Sequence, residues 1–361
     1  MFVAWRDLRF AKGRFALMGT VITLITLLVG LLSGLTTGLG RENTSAITSL
    51  PADHLVFAAP AKGSGVSFTD SRLRGPTWRL WAKVPGVTAA DPLGISMVKA
   101  EAGTTSTSLS AFGIRPGSRL APGRAAVGDG RVVLSAKAAD VLGVRAGDTV
   151  MLSGRRMSVA AVSGTAMYSH TPVVWTSLSD WQRLAGASGD GGELATVIAL
   201  STTKGAHLSA ADAAAGTRTV TIDEALSAIG SYTAENGSLQ LMRGFLLVIS
   251  ALVIGAFFTV WTIQRSGDIA VLKALGASTG YLLRDALSQA LVLLVLGAGA
   301  GSALAAALGT AVTGSGVPFV LGAGTVLVPA LGTIALGVLG AGLAIRRITS
   351  VDPLTALGSA R

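Results

Sequence analysis

Few residues in this 361-residue chain are of types that do chemistry. There is no cysteine, which excludes disulfides, thiolate zinc sites, iron–sulfur clusters and a cysteine nucleophile. Histidine occurs three times, as His54, His170 and His207. No HExxH, no catalytic triad and no pair of carboxylates at a catalytic spacing stands out. The adjacent Ser169-His170 reads as a hydrogen-bonded surface pair. A GxxxxGKS/T phosphate loop is absent, as is any Gly-Lys dipeptide, so the chain cannot hydrolyse ATP by that mechanism. What remains is one constellation at the edges of apolar runs. Arg41 and Glu42 end the first run, Arg243 opens the second, and Tyr232, Glu235 and Asn236 lie just upstream of it. A carboxylate at such a boundary either faces water or offers oxygen to a ligand, and neighbouring guanidinium groups suit anionic substituents.

The elements that must carry these residues follow from composition. Half the residues are hydrophobic, 13% are charged and mean hydropathy is +0.61. A soluble domain carries about 25% charge, and disorder needs the reverse balance. A spanning helix needs ~20 mostly apolar residues at ~1.5 Å each. Four candidates result: 15–40, 241–264, 286–312 and 322–345, the last two separated by a short turn at 313–321. The first is too long for a signal-peptide core and no cleavage site follows it. Lys and Arg near the ends set orientation. Residues 1–14, 265–285 and 346–361 hold ten basic and four acidic residues, so both termini and the 265–285 loop are expected in the cytoplasm. The net charge of +10 then reports topology and contact with anionic lipid. No aromatic-interleaved basic tract supports nucleic-acid binding.

Residues 41–240 read as an extracytoplasmic α+β domain. Strands are expected at 125–127, 131–134, 149–152, 159–162 and 173–175, with turns at Gly128-Asp129-Gly130 and Ala146-Gly147-Asp148. Ser135–Leu142 reads as a short helix with Ser135 as N-cap and Gly143 as C-cap, and Ser177–Leu184 as another. Ala210–Ala215 fits helix or linker. Trp78 and Trp81 suit the core, or an apolar patch for a partner.

The most informative stretch follows the second span: QRSGDIAVLKALGAS, residues 264–278. On a helix, Asp268, Leu272, Leu275 and Gly276 share one face, with Lys273 beside them. Periodicity alone leaves two readings, an interfacial loop helix or a helix that docks into a partner's groove. The stretch resembles the signature of the FtsX-like permeases of ABC transporters, the macrolide-exporter and lipoprotein-release superfamily, with Asp268 where many members have Glu. Arg346–Leu357 (RRITSVDPLTAL) resembles that family's ending, and Trp5-Arg6-Asp7-Leu8-Arg9 its amphipathic elbow helix on the inner surface. The resemblance implies a fold of four transmembrane α-helices, one followed by three, around one α+β outer domain. It also implies a coupling helix at 265–285, a homodimer in the plasma membrane, and two copies of a separate ATPase that alone carries ATP and magnesium.

Within that superfamily the chain is most similar to permeases of the haem-regulated efflux pumps of Gram-positive bacteria. Haem is then the transported substrate, with no permanently bound cofactor. Glu42 is the expected axial oxygen ligand, doubled in a twofold dimer. Arg41 and Arg243 would meet the propionates, with Tyr232, Gly34 and Gly38 lining the pocket. Tyr168, His170 and Glu235 are alternative axial ligands. Gly30, Gly34 and Gly38 form a stripe that either packs against the chain's own second helix or makes a dimer seam. A lipoprotein-release, peptide or drug exporter shares these motifs, as does a non-transporting permease that relays ATPase strokes to a cell-wall hydrolase.

Overall fold

The computed structural model describes residues 12–122, 127–186, 193–264, 267, 271–273, 275–312 and 316–349. The elbow helix, Asp268, most of the 125–127 strand and the tail beyond 349 lie outside them. The chain divides into two compact units, Leu39–Gly237 and the remainder.

Among the described residues, four helices are long and apolar enough to cross a membrane. We label them α1 (Lys12–Thr48), α7 (Gly230–Gln264), α8 (Thr279–Val312) and α9 (Ala323–Thr349). All four outrun the apolar stretches that announce them. At 1.5 Å per residue, α1 is about 55 Å long, well beyond a ~30 Å hydrocarbon layer. Hydropathy marks the slab and says nothing about where helical hydrogen bonding stops. Arg41 and Glu42 are therefore not at the end of a helix, which runs on to Thr48.

In the helical unit, Phe15, Met18 and Ile22 of α1 pack with Ile254, Phe258 and Trp261 of α7 and with Leu293 and Leu294 of α8. Glycine sets the closest approaches. A Cβ on Gly301 would lie 2.5 Å from the Thr23 carbonyl oxygen, and one on Gly297 would lie 2.8 Å from Ile22. The Thr23 hydroxyl donates to the Gly297 carbonyl at 3.2 Å. Lipid gives helices no hydrophobic reason to associate, so such packing and hydrogen bonds must hold them.

The other unit is the α+β domain. Its short helices are α2 (Gly75–Trp81), α3 (Ala136–Leu142), α4 (Leu178–Leu184), α5 (Leu208–Ala215) and α6 (Ile222–Ala225). Its strands are β1 (His54–Ala58), β2 (Leu73–Arg74), β3 (Val87–Ala102), β4 (Thr105–Ile114), β5 (Arg131–Leu134) and β6 (Thr149–Leu152). The rest are β7 (Arg155–Val162), β8 (Met167–Tyr168), β9 (Thr171–Ser177), β10 (Leu194–Ala195), β11 (Val197–Thr202) and β12 (Thr217–Thr221). The main sheet runs β12-β1-β11-β3-β4-β9-β5-β7-β6, with β8 on β9. β6 also pairs with the far end of β3, so β3, β4, β9, β5, β7 and β6 close a ring.

Side chains alternate between faces with period two, and here both faces are buried. Leu55, Phe57, Phe112, Val133 and Trp175 enter one core, whereas Val56, Ala111, Leu134 and Val174 enter the other with Trp78 and Trp81. The two tryptophans are thus core and form no partner patch. Gly94 and Gly113 face each other across β3 and β4, and the Trp181 ring of α4 lies over them. A Cβ at either position would come within 2.3 Å of Trp181. Local chemistry holds the helices as the sequence suggests. Ser135 caps α3, Gly143 closes it in the left-handed conformation, and Ser177 caps α4.

Candidate functional site

The site is built on three elements: α1 beyond Gly40, the first turns of α7, and the hairpin joining β8 to β9. That hairpin has a two-residue loop, Ser169-His170, between the paired residues Tyr168 and Thr171. Both loop residues have positive φ, 48° and 61°. Both residues left-handed is the type I′ form that matches the twist of the strands, for which Asn-Gly is the usual choice. A Ser-His pair there costs on the order of 1 kcal/mol or more per residue, so the surrounding bonds must hold it.

Those bonds come from the two long helices. The backbone N–H groups of Ser169 and His170 donate to the carbonyls of Asn43 (3.0 Å) and Glu42 (3.2 Å). The His170 ring lies between two carboxylates. Its Nε2 is 2.8 Å from Glu235 Oε2, and its Nδ1 is 4.0 Å from Glu42 Oε2. Asn43, buried, donates from Nδ2 to Glu235 Oε2 at 3.3 Å and accepts from the Ser231 hydroxyl at 2.9 Å. Ser231 in turn is 2.9 Å from the Ser169 hydroxyl. The side chains of Glu42, His170 and Glu235 remain 28%, 30% and 43% exposed, so a ligand can reach them.

The structure thus gathers Glu42, His170 and Glu235 and leaves other candidates elsewhere. Among the described residues, no group of three His, Cys, Asp or Glu is set to hold a metal ion. Glu42 or His170 can give iron one axial bond, not a chelate. Tyr168 is 8% exposed and packs edge-on against Phe68 and Phe112. Burial raises its phenol far above the ordinary value, which disfavours the phenolate that iron would bind. Tyr232 packs against the core that holds Phe57 and Phe112. Arg41 is exposed.

Arg243 is committed within the helical unit: its guanidinium donates to the Ser33 carbonyl at 3.1 Å and to the hydroxyls of Thr36 and Thr37. Gly34 and Gly38 line no open pocket. A Cβ on Gly34 would strike the Phe319 ring at 2.3 Å, and one on Gly38 the Pro318 carbonyl oxygen at 1.7 Å. The Val320 N–H donates to the Gly34 carbonyl at 3.1 Å. The stripe is closed by the chain's own turn between α8 and α9, and Gly30 by Ala305 of α8, rather than by the second span or a second copy. Asn43 and Ser231 were missed by sequence reading; a buried Asn inside a helix needs partners, but only the fold supplies them.

In the 264–278 stretch, Leu272 and Leu275 are 41% and 80% exposed. A closing motif ends the turn: Ala277 N–H donates to the Leu272 carbonyl, Gly276 N–H to that of Lys273, and Gly276 has φ 93°. This is the Schellman pattern, which needs a left-handed residue at Gly276. Asp268 lies outside the described residues.

Comparison with known proteins gives matches at two levels. Residues 15–218 match the model of the MacB-like periplasmic core domain, and residues 241–353 that of the FtsX-like permease C-terminal domain. Along 99% of both chains, the sequence is 24% identical to a Staphylococcus epidermidis protein named as a hemin transport system permease protein, HrtB, and 25% identical to that of Staphylococcus haemolyticus. It is 26% identical, again over 99% of each, to the uncharacterised ABC transporter permease Rv2563 of Mycobacterium tuberculosis. Among solved structures, the extracellular domain of the noncanonic ABC-type transporter YknZ from Gram-positive bacteria aligns at 13% identity and TM-score 0.35, over 47% of this chain and 98% of that one.

Proposed function

Since this chain belongs to the FtsX-like permeases of ABC transporters with a MacB-like outer domain, we propose that it is the membrane subunit of a haem efflux pump. It takes haem from the outer leaflet and expels it, driven by an ATPase on a separate chain. Near-full-length similarity to proteins named for hemin transport supports the substrate class. The observation that carries the reading is the pairing of Glu42 and Glu235 around His170, reachable from outside.

In this scheme Glu42 is the axial oxygen ligand. Glu235 and Asn43 hold the imidazole of His170 beside it, and the left-handed hairpin fixes where the imidazole points. Arg41, which is exposed, offers a cation to a propionate. Two copies of the chain work on two ATPase subunits, with both termini in the cytoplasm. Leu272 and Leu275, capped by Gly276, form the apolar face that seats the ATPase, with Lys273 beside it. A nucleotide-driven movement there passes along α7 to Ser231 and Glu235.

Haemin titration into the purified protein tests the reading. A saturable Soret shift is expected, weakened at least tenfold in Glu42→Ala, about 1.4 kcal/mol. An unchanged spectrum and affinity in that variant would remove Glu42 from the site. A strain lacking the gene should become sensitive to haemin; normal growth in haemin would point to peptide or lipoprotein export instead.

A further inference from the structure

The outer domain holds a second feature, a cavity of about 430 Å³ apart from the His170 cluster. Trp175, Leu50 and Leu120 form apolar wall, and Ser49, Thr165 and Arg119 bring polar groups to it. Its size falls at the small end of the ~300–1,000 Å³ typical of ligand pockets, and its lining is of the usual kind, mostly apolar with a few convergent polar groups. Among the described residues, the buried Trp175 indole N–H has no hydrogen-bond partner.

Among the described residues, Arg119 is the one charged residue in the lining. Its guanidinium is fixed in place: Nε donates to Asp91 Oδ2 at 3.3 Å and Nη2 to the Ser201 hydroxyl at 2.5 Å. Among the described residues Nη1 makes no hydrogen bond. A planar guanidinium with one edge committed and another free is suited to a carboxylate. We infer that this cavity is a binding site for a small amphiphilic carboxylate, its apolar body against Trp175 and Leu120 and its carboxylate on Arg119.

The location gives such a ligand something to act on. Ser45, also in the lining, accepts from the Met167 N–H at 2.9 Å, and Met167 opens the hairpin that carries His170. Ser45 lies one turn past Glu42 on α1. The ligand would therefore rest on two of the three elements that shape the cluster. This inference stands whether or not haem is the transported substrate.

Calorimetric titration of the full-length chain in lipid nanodiscs with 4-phenylbutyrate, corrected for empty nanodiscs, tests it. Saturable binding at one site per chain is expected. It should weaken at least tenfold for the neutral 4-phenylbutanamide, and likewise in Arg119→Gln. The Arg119–Asp91 pair is partly exposed, so its loss leaves the fold intact; an unchanged melting temperature checks this. Thr165→Phe, which fills the cavity from an exposed position, should abolish binding of both compounds. No saturable binding, or binding undiminished in Thr165→Phe, would overturn the site. Equal affinity for acid and amide would overturn its assignment to carboxylates.

Discussion

The outer domain and the helical unit both use glycine to let something come close, but what comes close differs. In the outer domain Gly94 makes room for a side chain, the indole of Trp181. In the helical unit Gly38 and Gly301 make room for backbone, the carbonyls of Pro318 and Thr23. A water-facing domain gains by burying a large apolar ring. Helices in lipid gain nothing from that and rely on close packing, which here includes backbone approach at Gly38 and Gly301 beside the Phe319 ring on Gly34. A ring can tilt or shift when crowded, whereas a carbonyl fixed within its own chain cannot.

That contrast sets the order of expected effects. Gly38→Ala should be the most damaging substitution, because its Cβ would sit 1.7 Å from a backbone oxygen. Most of the protein should be lost from the monodisperse peak after extraction and gel filtration. Near wild-type yield would mean that the turn after α8 is free to move. Gly94→Ala crowds the Trp181 ring instead and should lower stability by about 2 kcal/mol, read as a fall in melting temperature with folded protein still recovered. If it matched Gly38→Ala in severity, the distinction between ring and backbone contacts would be unsupported.

Smaller effects belong to polar groups of the outer domain. Asp129 accepts hydrogen bonds from the hydroxyls of Ser177 and Ser179, and these hold its carboxyl below the usual value. A depressed carboxyl contributes stability that is present above its unfolded value and is lost as pH falls through the folded one. The window therefore lies below about pH 4. The group is exposed, and screening reduces the contribution to about 0.5 kcal/mol. Asp129→Asn should remove that part of the acid dependence in melts from pH 5 to pH 2. Tyr168→Phe should change nothing in a haemin titration, since the phenol is buried and neutral. A lost Soret feature would restore Tyr168 as a ligand and displace Glu42.

Legibility varied with the range of the interactions involved. The α3 helix is readable because Ser135 and Gly143 are local signals eight positions apart: one supplies a capping oxygen, the other a left-handed backbone. The hairpin of β3 and β4 was not read, because its Ser, Thr and Ala content carries no clear alternation and its strands are defined by each other. In the same way the hydropathy of α1 and α7 was plain, but their polar extensions were invisible to it. Those extensions are what carry Glu42, Asn43, Ser231 and Glu235.

The sequence by itself determined the four apolar spans, the placement of one large domain after the first, and the family. Each rests on composition or on a contiguous motif, which are properties of neighbours along the chain. Only the tertiary structure decided that Glu42 and Glu235 share His170, that Tyr168 is withdrawn into a core, and that the Gly34–Gly38 stripe is already filled. Those outcomes depend on residues tens to hundreds of positions apart meeting in space, and pairwise distance has no signature in a single string of residues.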